Sequence, residues 1–155
     1  MKWLGCLGVI VLLALVVGGV GIGKYNSLVG LGQGVDAQWA QVENQYQRRA
    51  DLVPNLVATV QGAATFEKST LEEVVKARAS VGQTTIDPKN LPNDPAAMAK
   101  YQQAQDALSG ALSRLMVVVE RYPELKANAN FRDLQVQLEG TENRVSVERM
   151  RFNEK

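Results

Sequence analysis

The sequence predicts an all-α protein, with a single N-terminal transmembrane helix followed by an antiparallel up-and-down four-helix bundle. Three observations indicate this class. An uncharged apolar run spans Trp3–Gly23. The rest of the chain has apolar residues at helical spacing and no alternating strand pattern. Four periodic segments with short connections favour an antiparallel bundle. The 155 residues suit one domain plus an anchor, which we place at residues 25–155 and 1–24.

The composition argues against several kinds of chemistry. The chain has no histidine, the commonest general base and zinc ligand. Cys6 is its single cysteine, so no intrachain disulfide can form. Lys and Arg number 17 against 16 Asp and Glu, a balance that lacks the electrostatic footprint of nucleic-acid binding. We therefore expect no nucleic-acid partner, no cofactor and no metal, and predict that the protein is not an enzyme.

The apolar run is predicted to be an uncleaved membrane anchor. Its roughly 21 residues match the length of a helix that crosses a bilayer. Lys2 and Lys24 bracket it, and Trp3 and Tyr25 stand where interfacial aromatic residues are favoured. A cleaved signal peptide is the alternative, but the run is long for one and has no small-residue cleavage site. A lipid bilayer is thus an expected partner.

Two pairs of small residues in this run favour association of anchors. Ala14 and Gly18, and Gly19 and Gly23, have the small-x-x-x-small spacing that lets transmembrane helices approach closely. A homo-oligomer is therefore one expectation. The side of the membrane that holds the bundle stays open, because the flanking charges only mildly favour a cytoplasmic N-terminus.

Three glycines follow the anchor, at Gly30, Gly32 and Gly34. Each lowers helix stability by about 1 kcal/mol relative to alanine. They predict a hinge between the anchor and the bundle. The alternative is an uninterrupted helix that is packed on both sides.

The first bundle helix is predicted over Gln38–Gly62. Pro54 within it removes a backbone hydrogen bond and predicts a kink, with Asn55 satisfying a freed carbonyl. Gly62 is the expected end. The apolar stripe recurs every seven residues: Trp39, Tyr46, Val53 and Val60.

Capping patterns place the later helices. Ser69-x-x-Glu72 predicts the start of the second helix, with Thr65 as an alternative start and Gly82 as its end. Residues 82–95 are predicted to form a loop. Asp94 is the expected cap of the third helix, with Pro95 in its first turn.

The third helix has the spacing of a coiled-coil seam and is expected to stop near Tyr122, before Pro123. The seam runs through Tyr101, Ala104, Leu108, Ala111, Leu115 and Val118. The fourth helix is expected to begin near Asn128 or Asn130. Its pattern still continues at Lys155, which predicts a chain truncated at the C-terminus.

With these segments in place, the chain resembles the LemA family. The matching segments are YNSLV (Tyr25–Val29), NQYQRRADLVPNLV (Asn44–Val57), TLEEVVKARA (Thr70–Ala79), LSRLMVVVERYPELKAN (Leu112–Asn128) and NFRDLQVQLEGTENRVSVERMRFNE (Asn130–Glu154). The resemblance implies a bacterial membrane protein with one N-terminal anchor, a helical bundle, and no established activity or cofactor. It also implies a charged helical segment where this chain reads GLGQG, and a continuation beyond Glu154.

One set of polar residues is a candidate interaction cluster. Paired arginines bind phosphate, lipid head groups or carboxylates. Ordinary salt bridges between the first and fourth helices are the alternative, as is a buried polar layer that sets the register of the bundle. The cluster consists of Arg48, Arg49, Asp51, Asn55, Glu139, Glu142 and Arg144.

The sequence favours a membrane-anchored helical scaffold or adaptor that contacts other membrane or envelope proteins. Two alternatives stay open. One is the binding of a small ligand or lipid head group through an arginine–carboxylate site in the bundle. The other is membrane remodelling by self-association.

Overall fold

A computed structural model describes residues 2–62, 66–83 and 94–155. The predicted loop and the alternative start at Thr65 fall largely or wholly outside these residues. The structure confirms the all-helical class over the described part of the chain. Its helices are α1 (Lys2–Gln61), α2 (Lys68–Gln83), α3 (Pro95–Val119), α4 (Pro123–Ala127) and α5 (Ala129–Glu154).

The four long helices alternate in direction. The closest approaches join α1 to α5 and α2 to α3. Both pairs are antiparallel, whereas α1 and α3 are parallel, so the chain runs up and down through the bundle. These directions follow from the contacts Gln38–Glu148 and Arg49–Glu142 for α1 and α5, Glu73–Arg114 and Glu67–Arg121 for α2 and α3, and Trp39–Tyr101 and Arg49–Gln105 for α1 and α3.

The core has two apolar parts. A larger, mostly aliphatic cluster extends along α1 from Val53 to Val60 and reaches α2, α3, α4 and α5. A smaller cluster around Trp39 and Tyr46 is rich in aromatic rings. The seven-residue stripe predicted for α1 is buried throughout, because its members all face the other helices.

α1 is a single helix of 60 residues, so the predicted hinge at the three glycines is wrong. Every residue from 15 to 33 is exposed, and we call this segment the stem. A Cβ atom added at Gly30, Gly32 or Gly34 would meet nothing within 4 Å, so packing does not hold this part straight. Glycine weakens a helix but keeps its backbone N–H, and the hydrogen-bond ladder therefore continues.

Within the part of the chain that the structure describes, no helix is long and apolar enough to cross a membrane. The transmembrane assignment of Trp3–Gly23 is therefore not confirmed and stays a prediction.

α1 also continues through Pro54, and a side chain of α2 compensates for the missing hydrogen bond. Proline has no N–H to donate to the carbonyl four residues earlier, which is that of Ala50. Arg78 Nε donates to this oxygen over 3.1 Å. The sequence predicted Asn55 in this role, whereas the structure shows Arg78 as the side chain that donates to the freed carbonyl.

Some predicted helix ends are confirmed. Asp94 caps α3 by accepting from the N–H groups of Ala96 and Ala97. Asn128 caps α5 by accepting from Phe131 N–H over 3.2 Å. α1 ends at Gln61, directly before Gly62.

Other predicted ends are wrong. α2 begins at Lys68, so Ser69 lies in its first turn, and α2 continues one residue beyond Gly82. α3 ends at Val119, earlier than Tyr122. Pro123 then opens the short helix α4, which the sequence reading missed, because proline suits the first turn of a helix.

The Pro54–Arg78 compensation is open to a mutational test. Arg78→Met should lower the free energy of unfolding by about 1 kcal/mol, since it leaves the Ala50 carbonyl without its partner. In a Pro54→Ala background the new N–H reaches that carbonyl, so Arg78→Met should cost much less. Urea denaturation measures both values, with Arg48→Met on the exposed side of α1 as the control. An equal cost in both backgrounds would contradict the assignment.

Candidate functional site

Arg49 lies in the buried seam of α1, between Tyr46 and Val53. Its side chain is 2% exposed. Nη1 donates to Glu142 Oε2 over 2.6 Å, and Nη2 donates to the backbone oxygen and to Oε1 of Gln105 over 3.0 and 2.6 Å. The guanidinium is thus held by α3 and α5 together. Its Nε is buried and has no hydrogen-bond acceptor among the described residues.

Arg49, Gln105 and Thr141 form a polar layer across the bundle. All three are buried, and they come from α1, α3 and α5. The Thr141 hydroxyl donates to the carbonyl of Gln137 in its own helix. The layer lies between the two apolar clusters. Along its own helix, each of the three polar residues has a residue of the aromatic cluster on one side and a residue of the aliphatic cluster on the other.

Glu142 joins this layer to the surface. Its side chain is 45% exposed, and Ser109 of α3 donates to its Oε1 over 2.8 Å while Arg49 donates to Oε2. One carboxylate therefore links α1, α3 and α5. A buried arginine needs such a partner, because removing its hydration is costly.

Aromatic rings pack on the side of the layer nearer the stem. The Tyr46 ring lies 5.3 Å from the Arg49 guanidinium carbon, within the range of a cation–π contact. Tyr46 and Tyr101 meet edge to face with ring centres 5.7 Å apart. Trp39 contacts Tyr101 and Phe152 in the same cluster. Burial raises the pKa of both Tyr46 and Tyr101 above the usual value of 10.0.

A cleft of about 110 Å³ opens between α3 and α5 next to the polar layer. Arg49, Glu139 and Glu142 are its charged lining residues, and Ser109 and Ser113 contribute hydroxyl groups. The remaining lining is apolar and consists of Leu112, Met116 and Leu138. We call this site the α3–α5 cleft.

The structure brings together two members of the predicted cluster, Arg49 and Glu142. Arg144 lies beside them, where it contacts Gln45 and Thr141. The others are exposed. Asp51 and Glu139 accept hydrogen bonds from glutamines one turn earlier in their own helices, whereas Arg48 and Asn55 point to the surface of α1.

Among the described residues, nothing packs against the three glycines proposed for anchor packing. A Cβ atom added at Gly18, Gly19 or Gly23 would meet nothing within 4 Å. The side chain of Ala14 is outside the described residues. Association through these positions stays a prediction.

The sequence reading missed Gln105 and Ser109. A signal for Gln105 was present, because it follows Tyr101 by four residues and precedes Leu108 by three, a helical spacing that places it on the same face as the predicted seam, next to Ala104. Ser109 carries no such signal, since a serine beside a seam is common. Among the described residues, no group of three or more Cys, Asp or Glu side chains is arranged to hold a metal ion.

These features define a class of protein: an all-α bundle with a buried arginine layer and a first helix that projects far beyond the bundle. The family model described as "LemA family" matches residues 38–155, which is most of the chain. The chain belongs to the LemA family. A search of curated proteins found no match.

The Arg49–Glu142 pair should show strong energetic coupling. Glu142→Gln should lower the free energy of unfolding by about 1–3 kcal/mol, because it leaves the buried Arg49 charge uncompensated. Arg49→Met should remove most of the effect of Glu142→Gln. A double-mutant cycle by urea denaturation measures this, with Arg114 and Glu73 as the exposed control pair. Simple additivity at Arg49 and Glu142 would refute the coupling.

The buried tyrosines predict sensitivity to alkali. Their pKa values are raised in the folded state, so folded Tyr46 and Tyr101 hold their protons more tightly than the unfolded chain does. The resulting stability is present below pH 10, the usual tyrosine pKa, and is lost as the pH rises through the folded pKa values. Stability should therefore fall above pH 10, and a Tyr46→Phe, Tyr101→Phe double variant should resist this loss. The same alkaline loss in the variant would point to other groups.

Proposed function

We propose that the protein is a membrane-anchored helical scaffold or adaptor, which holds other membrane or envelope proteins against its bundle at the bacterial cell membrane. The observation that carries this proposal is the exposed stem of α1, whose residues before Lys24 are all apolar. The buried core of the bundle begins at Trp39, whereas α1 starts at Lys2.

The apolar side chains of the stem point in all directions. Leu15, Val17 and Ile22 are 72%, 68% and 65% exposed. A helix that is apolar all round requires an apolar environment, either lipid or a large protein core. The uncharged run Trp3–Gly23 has the length of a transmembrane helix. We therefore assign lipid as its environment.

The bundle offers surfaces to partners. A groove of about 530 Å³ runs along the outer face of α2, where Phe66, Leu71 and Val75 supply apolar contacts. Lys68, Glu72 and Lys76 add charged groups to its lining. Grooves of this mixed character suit protein contacts, which combine an apolar centre with a polar rim.

The alternative of a small-ligand or lipid head-group binder has one supporting observation, the α3–α5 cleft beside Arg49. The predicted site was to include Arg48 and Asp51, and neither lines this cleft. At about 110 Å³ the cleft is smaller than the 300–1,000 Å³ that is usual for substrate and cofactor pockets. This size favours the scaffold over the small-ligand binder.

Charged substitutions test the anchor. Leu13→Arg with Val17→Arg should release the protein from membranes during alkaline carbonate extraction, because each arginine near the middle of a spanning helix costs about 2.5–3.5 kcal/mol. Val117→Arg with Val136→Arg is the matched control, since these valines are at least as exposed but lie on the bundle. The control should stay in the membrane fraction. Release of the unmodified chain would overturn the anchor.

The scaffold itself is tested by crosslinking with mass spectrometry in native membranes. We expect crosslinks from exposed bundle residues to other membrane or envelope proteins. Recovery of an uncrosslinked monomer alone would contradict the scaffold. Crosslinks only between copies of this chain would instead favour self-association.

A further inference from the structure

The α3–α5 cleft has apolar walls and an acidic edge. Leu112, Met116 and Leu138 form the walls. Glu139 and Glu142 of α5 lie at the solvent side, where the first is exposed and the second is half-exposed. The cleft is therefore amphipathic.

The charges of the cleft favour a cation. Its ionisable lining residues are Arg49, Glu139 and Glu142, whose formal charges of +1, −1 and −1 sum to −1. Both Nη atoms of Arg49 already donate hydrogen bonds within the bundle, one to Glu142 and the other to Gln105. Glu139 contacts the neutral amide of Gln135 over 2.9 Å. Its charge is thus available to a ligand.

The size of the cleft limits the ligand to one small group. An apolar cavity of about 150 Å³ holds benzene, which has six carbon atoms. By that comparison about 110 Å³ holds roughly four or five non-hydrogen atoms. A short alkyl chain that ends in an ammonium group has this size, and it matches both the apolar walls and the carboxylates.

We propose that the α3–α5 cleft binds the alkylammonium end of a lysine side chain on a partner protein. The methylene groups lie against Leu112, Met116 and Leu138, and the ammonium group donates to Glu139 and Glu142. The planar guanidinium of arginine is a poorer fit to so narrow a site. That the lysine belongs to a partner protein rests on the proposed scaffold function, whereas the alkylammonium site does not.

The first experiment measures binding of n-butylamine to the full-length protein in detergent micelles at pH 7. The methyl NMR signals of Leu112, Met116 and Leu138 should shift with a dissociation constant on the order of millimolar, as expected for so small a ligand. n-Butanol has the same chain without the charge and should bind about fivefold more weakly. Equal binding of the two compounds, or no shift at these methyl groups, overturns the proposal.

Matched variants test whether the Glu139 carboxylate binds the ammonium group. Glu139→Gln should weaken n-butylamine binding about fivefold. Asp51→Asn is the control, because Asp51 is likewise an exposed carboxylate that accepts from a glutamine one turn earlier. It should leave binding unchanged. Ser113→Leu, which fills the cleft, should abolish binding. Unchanged affinity in Glu139→Gln overturns the assignment of the ammonium site.

The second experiment distinguishes a lysine of a partner from a free amine. Carbodiimide treatment of native membranes should join Glu139 to a lysine of another protein, with loss of that product in Glu139→Gln and its retention in Asp51→Asn. Binding of n-butylamine without such a product overturns the lysine assignment and points to a free amine. If amine binding fails while other crosslinks to partners form, this inference falls and the scaffold stands.

Discussion

Burial of the Arg49 guanidinium is the constraint on which the bundle depends. Taking a charge out of water costs several kcal/mol unless its partners are well placed. Here Gln105 and Glu142 supply acceptors from two different helices. If α1 slid along the bundle by one heptad, Arg49 would face the apolar levels of Val42 or Leu56. We interpret the polar layer as the feature that selects one register, at some cost in stability compared with an apolar layer.

The polar layer also explains how the rest of the core is divided. Aromatic rings fill the end nearer the stem, and aliphatic side chains fill the other end. Ser109 and Ser113 are small, so α3 leaves space opposite Leu138 and Glu139. The α3–α5 cleft lies where these small residues meet the exposed side of the Glu142 carboxylate. The same layer that orders the bundle therefore places a polar group at a surface opening.

Much of this fold was predictable from local signals. Seven-residue periodicity located the buried stripe of α1, and Asp94 and Asn128 marked two helix starts, because both signals act within a few residues. Non-local compensation was not predictable. Arg78 reaches Ala50 from another helix, so Pro54 alone predicted a defect that the tertiary structure repairs. The hinge predicted in the stem was wrong for another reason. The low helix propensity of its three glycines weakens the helix but does not break it.

At the candidate site, too, local sequence signals did not predict the contacts between helices. Heptad spacing from Tyr46 to Val53 singles out Arg49, and it excludes Arg48 and Asp51 from the seam. Grouping residues by nearness in sequence obscured that distinction. The partners Gln105 and Ser109 lie 56 and 60 positions further along the chain, so only the packing of α3 against α1 and α5 brings them together.

Because α1 is uninterrupted, its length sets the distance between the cleft and the proposed anchor. If the proposed anchor ends near Lys24, the 25 residues to Arg49 rise about 38 Å at 1.5 Å per residue. An uninterrupted helix would then hold the bundle away from the lipid surface, whereas a hinge at the glycines would let it fold back. Under both proposals, the partner's lysine would be presented several tens of ångströms from the membrane, on a domain or extended segment of its own.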